Sequence, residues 1–175
     1  MKRILFIAYF FSIWFYSFSQ SIQKTIQDSF FGCTLGKTTR SECIEILSSK
    51  GLTLDYDGSK ILIINPRFAS EKWDLGCLDF YDGILFYFSV NNFVNGPLGY
   101  TENTVKQQYE GLVNILSNKY PNLPLLSANE NNWTVADNTS YCCVIIEEAY
   151  TKMLKLEYYN IKLLNEWQSD AIEDL

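Results

Sequence analysis

The dipeptide Asp82-Gly83 is the sequence feature that most restricts how this chain folds. It lies between segments 77–81 and 84–90, in which aliphatic and aromatic residues predominate. Asp-Gly readily adopts the two positive φ angles of a type I′ turn, whose twist matches that of paired antiparallel strands. The sequence therefore predicts a β-hairpin here and, with it, an antiparallel sheet.

Two segments have the apolar spacing of amphipathic helices. In 39–50, Thr39 and Glu42 form the pattern of a capping box ahead of an apolar face. In 104–120, apolar residues recur every three or four positions until Pro121 follows. We predict one helix in each segment, and the apolar spacing of residues 161–168 predicts a short helix near the end of the chain.

Three further segments, 60–65, 140–148 and 152–160, are rich in aliphatic, aromatic and β-branched residues and are predicted to be strands. Helices alternate with groups of strands along the chain. We therefore predict a two-layer α+β fold, in which helices 39–50 and 104–120 pack on one face of an antiparallel sheet.

The ends of the two helices resemble each other. Residues 46–50 read Ile-Leu-Ser-Ser-Lys, and residues 115–119 read Ile-Leu-Ser-Asn-Lys. Each is followed by predicted strands. We therefore predict two helix-plus-sheet repeat units, at about 32–100 and 101–165, that share one sheet.

The first 19 residues have the layout of a cleaved secretory signal. A basic start precedes an apolar run, and Ser17 and Ser19 place small residues at positions −3 and −1 of a cut before Gln20. The alternative is an uncleaved membrane anchor, for which the apolar run is short. We predict export to the periplasm or the extracellular space, a single α+β domain over residues 20–175, and no membrane span in that domain. Ser21 to Phe31 is predicted to be a short entry segment of one or two helical turns.

The composition excludes several kinds of site. The chain has no histidine, so the Ser-His-Asp triad, the Cys-His dyad and zinc or haem sites with imidazole ligands are impossible. The net charge of −6 argues against nucleic-acid binding, which requires a basic face. Carboxylates are plentiful, but no spacing singles out a pair for glycoside hydrolysis. We expect no cofactor, no metal and no enzymatic activity, and a carboxylate-dependent hydrolase is the less favoured alternative.

The five cysteines leave the disulfide pattern open. They are Cys33, Cys43, Cys77, Cys142 and Cys143. Export would bring them into an oxidising compartment, and an odd number leaves at least one thiol unpaired. Neighbours in a strand point to opposite faces, so Cys142 and Cys143 are not expected to pair with each other. Buried thiols that act as small apolar side chains are the favoured interpretation.

A family resemblance rests on residues 35–43, which read Leu-Gly-Lys-Thr-Thr-Arg-Ser-Glu-Cys. This segment resembles the G-x-T-x-x-E-V opening of small exported bacterial proteins of the outer-membrane assembly lipoprotein type (SmpA/OmlA), with Cys43 in place of the aliphatic residue. The tandem helix-plus-sheet order is similar to that of the beta-lactamase inhibitor protein, whose repeats present a concave sheet. The resemblance implies protein binding or envelope scaffolding rather than catalysis.

Strand alternation predicts which residues line the two faces of the sheet. Ile84, Phe86, Phe88 and Val90 share one face, which we expect to be the core. The other face is predicted to carry Tyr81, Tyr87, Tyr159, Asp79 and Glu157. Tyrosines among charged residues on an open sheet are typical of a protein-binding patch, whereas the simpler explanation is that tyrosine favours strands. We predict that an unidentified protein partner binds to this patch.

A second hypothesis is that the protein binds a small ligand. The ligand would occupy a pocket between the sheet and the helices, lined by aromatic side chains such as Phe86 and Tyr109. This hypothesis predicts an apolar cavity of several hundred Å³. The protein-binding hypothesis predicts an exposed aromatic patch instead.

Overall fold

An eight-stranded antiparallel sheet forms the body of this computed structural model, which describes residues 25–148 and 151–173. The predicted signal segment and its cleavage position before Gln20 lie outside the described residues. The strands, numbered along the chain, are β1 (Ser29–Phe30), β2 (Cys33–Thr34), β3 (Leu54–Asp57), β4 (Lys60–Ile64), β5 (Arg67–Phe68), β6 (Glu71–Lys72), β7 (Leu75–Tyr81), β8 (Ile84–Phe93), β9 (Leu125–Ala128), β10 (Asn132–Ala136), β11 (Ser140–Glu148) and β12 (Lys152–Asn160). Their order in the main sheet is β3-β4-β7-β8-β12-β11-β10-β9. β1 with β2, and β5 with β6, form separate hairpins.

The described residues form three helices: α1 (Arg40–Ser49), α2 (Glu102–Lys119) and α3 (Ile161–Glu173). The helices predicted at 39–50 and 104–120 are therefore confirmed. The predicted capping box is also present, because the Thr39 side chain accepts from the Glu42 N–H while the Glu42 carboxylate accepts from the Thr39 N–H. No helix in the described parts of the chain is both long enough and apolar enough to cross a membrane.

The same order of elements occurs twice. α1 is followed by β3, β4, β7 and β8, and α2 is followed by β9, β10, β11 and β12. In each half the four strands pair as consecutive antiparallel neighbours, and the last strands of the two halves, β8 and β12, pair with each other at the centre. Both sets of strands thus belong to one sheet, and the predicted two-layer α+β fold is confirmed.

The main core lies between the sheet and a layer made of α1, α2 and the N-terminal segment 25–38. Cys43 and Leu47 of α1, and Leu112 and Leu116 of α2, belong to one cluster of buried residues. The N-terminal segment contributes Phe30, whose ring stacks on Phe88 with the centroids 4.2 Å apart. Residues 25–31 contain no helical turn, so the prediction of helical turns in this segment is wrong within the part that the structure describes. Its backbone instead pairs as the β1–β2 hairpin.

A β-bulge in the β7–β8 hairpin changes the predicted face of three residues, Ile84, Leu85 and Phe86. The turn itself is confirmed, since Asp82 and Gly83 both have positive φ angles. Asp79 pairs with Tyr87 but Phe80 pairs with Leu85, so β8 contains one extra residue, Phe86. Leu85 therefore joins the main core, whereas Phe86 turns to the opposite face, as does Ile84, which pairs with Tyr81. Simple alternation had predicted the reverse, and that assignment is wrong.

The opposite side of the sheet, away from α1 and α2, is called the outer face below. α3 packs against it over β8 and β12. The Trp167 ring stacks on Phe86 with the centroids 5.8 Å apart, and the Tyr81 hydroxyl donates a hydrogen bond to Asp170. One end of the outer face is thus covered by a helix.

Candidate functional site

Three of the five predicted partner-binding residues make contact on the outer face. The antiparallel pairing of β8 with β12 places Tyr87 opposite Tyr159, with Glu157 two positions away on the same face. The Tyr87 hydroxyl donates to Glu157 Oε1 at 2.8 Å, and the Tyr159 hydroxyl donates to Oε2 at 3.2 Å. The two rings lie 4.8 Å apart. We call Tyr87, Tyr159 and Glu157 the tyrosine–glutamate cluster.

The other two predicted residues are engaged elsewhere. Asp79 lies across from Tyr87, but its carboxylate accepts from the Ser59 hydroxyl at 2.8 Å and lies 3.9 Å from Lys60 Nζ. Tyr81 is at the end of the hairpin, where the hydrogen bond to Asp170 raises its pKa to about 12. The structure therefore does not gather the five side chains around one point.

The tyrosine–glutamate cluster is partly buried. Glu157 is only 5% exposed, while both tyrosines are half-buried. Burial, together with the neighbouring Glu157 carboxylate, raises the pKa of Tyr87 and of Tyr159. Both hydroxyls stay protonated at neutral pH and remain hydrogen-bond donors. Both oxygens of Glu157 are occupied by these donors, an arrangement suited to holding rings in place rather than to acid–base chemistry.

Three acidic residues on or beside the strands, which a carboxylate-dependent hydrolase could use, have structural partners. Asp74 is buried and accepts from the backbone N–H groups of Phe93 and Leu98, both at 2.9 Å. Glu147 pairs with Lys155, and Glu148 Oε1 lies 2.7 Å from Lys152 Nζ. Within residues 25–148 and 151–173, no group of three or more Cys, Asp or Glu side chains is placed to hold a metal ion.

All five cysteines are buried free thiols. Cys142 faces the main core and Cys143 the outer face, as predicted for neighbours in a strand. Burial raises the pKa of Cys77 and of Cys143 to about 11, so both are thiols rather than reactive thiolates at neutral pH.

A cavity of about 330 Å³ lies on the other side of the sheet, against α2. Its floor is formed by β12, one wall by α2, and the facing wall by the β5–β6 hairpin, with Gln27 of the N-terminal segment at one end. The apolar lining residues are Phe68, Ala69, Leu112, Ile115, Leu116, Leu156 and Tyr158. We call this space the α2 cavity. A second depression, beside α1, is lined mainly by polar side chains such as Lys37, Glu42 and Glu45.

The α2 cavity is the gap between α2 and the β5–β6 hairpin. Gly111 is at the middle of the α2 flank that faces the cavity, one helical turn from Gln107 and from Ile115. A β-carbon built on Gly111 has no atom within 4 Å. The opposite wall is held by the β5–β6 turn, in which Ala69 and Ser70 both have positive φ angles. Such angles are costly for residues with a side chain, so the hairpin is held by its surroundings in a strained conformation.

A cavity does lie between the sheet and a helix, but the lining residues predicted for a pocket in this place, Phe86 and Tyr109, are wrong. Phe86 is on the outer face, and Tyr109 packs in the core with its hydroxyl donating to the Asn129 carbonyl at 2.8 Å. The aromatic lining residues are Phe68 and Tyr158. No sequence signal identified Phe68, because it lies in a two-residue strand.

Comparison of the chain with protein-family models, with curated protein sequences and with solved structures gave no match.

Proposed function

We propose that the mature protein is an exported, non-enzymatic binding protein that holds a small, largely apolar ligand in the α2 cavity. The observation that carries this proposal is the cavity itself. Its volume of about 330 Å³ lies at the lower end of the range of ligand pockets, which runs from roughly 300 to 1,000 Å³. Apolar side chains surround it, with a few polar groups at its mouth.

Two further observations support a ligand in this place. Ile115 is 62% exposed at the mouth of the α2 cavity, so an apolar ligand would cover a side chain that otherwise contacts water. The strained turn at Ala69 and Ser70 forms part of the wall, and backbone strain concentrates at ligand-binding sites. Neither observation is needed to explain the stability of the sheet.

Filling the α2 cavity should abolish ligand binding. We expect wild-type protein to bind the neutral fluorescent probe N-phenyl-1-naphthylamine at one saturable site. Gly111→Phe should lower its affinity by at least about tenfold, since the new ring would occupy the space that the probe needs. Fluorescence titration of the purified mature protein measures both affinities.

Gly111→Ala is the matched control. It adds only a methyl group in open space and should stabilise α2 by about 0.5–1 kcal/mol while it leaves probe affinity near the wild-type value. The proposal fails if wild-type protein shows no saturable binding, or if Gly111→Phe remains folded and binds the probe as tightly as Gly111→Ala.

A second candidate function is the binding of a protein partner through the outer face. The observation that favours it is the set of aromatic rings on this face: Tyr87 and Tyr159 in the tyrosine–glutamate cluster, with Phe86 and the 46% exposed Trp167 beside them. Tyrosine and tryptophan are common anchors of interfaces. The resemblance to the beta-lactamase inhibitor protein supports the same surface.

Tyr87→Ala and Tyr159→Ala should each weaken the capture of a partner from envelope extract at least tenfold if this second function holds. Captured partner should also decrease as salt is raised, because the net charge of −6 favours a partner with a basic surface. Circular dichroism establishes that the variants are folded. Wild-type levels of capture by both folded variants would remove the outer face as the binding surface.

A further inference from the structure

Lys119 lines the α2 cavity and has no acidic partner among the residues that the structure describes. It is half-buried in the last turn of α2, and its Nζ donates to Gln27 Oε1 at 3.0 Å. The same ammonium lies 5.1 Å from the centroid of the Tyr120 ring. None of the ion pairs found in the described residues includes Lys119, whereas Lys60, Lys152 and Lys155 each have a carboxylate within 4.0 Å.

The surroundings of Lys119 penalise its charge. Burial lowers the pKa of Lys119, against a smaller raising effect of Cys142, and the two groups that contact its ammonium, the Gln27 amide and the Tyr120 ring, are neutral. An ammonium has three N–H donors, and Gln27 accepts from one of them. No acceptor for the other two is found among the described residues. A ligand anion would supply the missing counter-charge in a setting where a charge-assisted hydrogen bond is strong.

We infer that the ligand of the α2 cavity is an amphipathic monocarboxylate. Its apolar part lies between Leu112, Leu116 and Phe68, and its carboxylate accepts from Lys119 Nζ. This inference rests on the proposed function, because it names the ligand class of the same cavity. A single ammonium balances the one negative charge of a carboxylate, whereas a phosphate group carries about −1.5 to −2 at pH 7 and would remain partly unpaired at this half-buried site.

The charge of the whole chain makes the inference more specific. At −6 the protein repels anions at long range, and Glu71 is also among the lining residues of the cavity. A preference for a carboxylate over the corresponding alcohol must therefore come from a local contact. Lys119 is the lining residue that can provide it.

Competition between two ligands of equal chain length tests the inference. Decanoate and 1-decanol, both below their aggregation limits, are titrated against protein loaded with N-phenyl-1-naphthylamine. We expect wild-type protein to bind decanoate about tenfold more tightly than 1-decanol. Lys119→Gln should remove that difference and leave the affinity for 1-decanol unchanged. Lys119→Arg should restore most of it.

Lys106→Gln is the matched control, because Lys106 is an exposed lysine of α2 that does not line the cavity. It should keep the wild-type preference for decanoate. A lysine that only stabilises the negative end of the helix would change the melting temperature on substitution but not the ratio of the two affinities. Equal affinities of wild-type protein for both ligands, or an unchanged ratio in Lys119→Gln, would overturn the inference while the proposed function stands. Failure of both ligands to displace the bound probe would also overturn the inference, whereas failure of the probe itself to bind would overturn the proposed function.

Discussion

Phe88→Ala is expected to lower the free energy of unfolding by about 3–5 kcal/mol, the range found when a buried phenylalanine is truncated. Phe88 is fully buried at the centre of β8. Its ring stacks on Phe30 at 4.2 Å and meets the edge of Phe68 at 5.2 Å. The substitution removes the ring against which the N-terminal segment packs. Urea denaturation of the mature protein, followed by circular dichroism, measures the change.

Leu126→Ala is the control for this prediction. Leu126 is 56% exposed on the edge strand β9, and its truncation should change stability by no more than about 0.5 kcal/mol. A loss below about 1 kcal/mol in Phe88→Ala would mean that the core collapses around the gap, and that the contact between Phe30 and Phe88 contributes little.

The long, regular elements of this fold could be predicted from the sequence because each has a local signal. The capping box of Thr39 and Glu42 fixes the start of α1, and the turn at Asp82 and Gly83 fixes the register of the β7–β8 hairpin up to the bulge. The apolar spacing of α2 also identified its buried side correctly, since Val105, Tyr109, Leu112 and Leu116 are all buried.

The elements that escaped prediction depend on distant partners. β3 and β9 are four-residue edge strands, too short for a pattern of apolar residues to distinguish them from loops, and they are ordered by pairing with β4 and β10. The bulge at Phe86 is stabilised by α3, which begins 75 positions later in the chain at Ile161 and covers the ring with Trp167. For the sequence of β8 taken alone, strict alternation is the only available rule. This rule assigns Ile84, Leu85 and Phe86 to the wrong faces.

The two candidate sites were predictable to different degrees. The tyrosine–glutamate cluster follows from strand alternation, which needs only the pairing of β8 with β12 to bring Tyr87 and Tyr159 together. The hydrogen bonds from the two tyrosine hydroxyls to Glu157 could not be inferred, because they depend on the directions of side chains from two strands. The α2 cavity depends on where the β5–β6 hairpin stands relative to α2, and short loop-like segments carry no sequence signal for such a placement.

Asp137→Ala is expected to destabilise the protein by about 2–3 kcal/mol at pH 7, because it leaves several charge-assisted hydrogen bonds unmade. The Asp137 carboxylate accepts from the backbone N–H groups of Thr139 and Ser140, at 2.7 and 2.8 Å, and thereby closes the β10–β11 turn. It also accepts from the N–H of Ile26 at 2.6 Å, which ties the N-terminal segment to the second half of the sheet. Urea denaturation at pH 7 measures the loss, and Asp57→Ala, at an exposed position of β3, should change stability by less than about 0.5 kcal/mol.

The contribution of Asp137 should also depend on pH in a defined direction. Partial burial by itself would raise the pKa of Asp137, but the hydrogen bonds from Ile26, Thr139 and Ser140 outweigh it and hold the pKa below the ordinary carboxyl value. A group with a lowered pKa in the folded state stabilises the protein above its unfolded pKa, which is about 3.9, and that stabilisation is lost as the pH falls through the folded value. The difference in unfolding free energy between wild type and Asp137→Ala should therefore be constant from about pH 7 to pH 5 and shrink below about pH 4. A difference that stays the same down to pH 3 would show that the ionised carboxylate is not what holds the N-terminal segment against the turn.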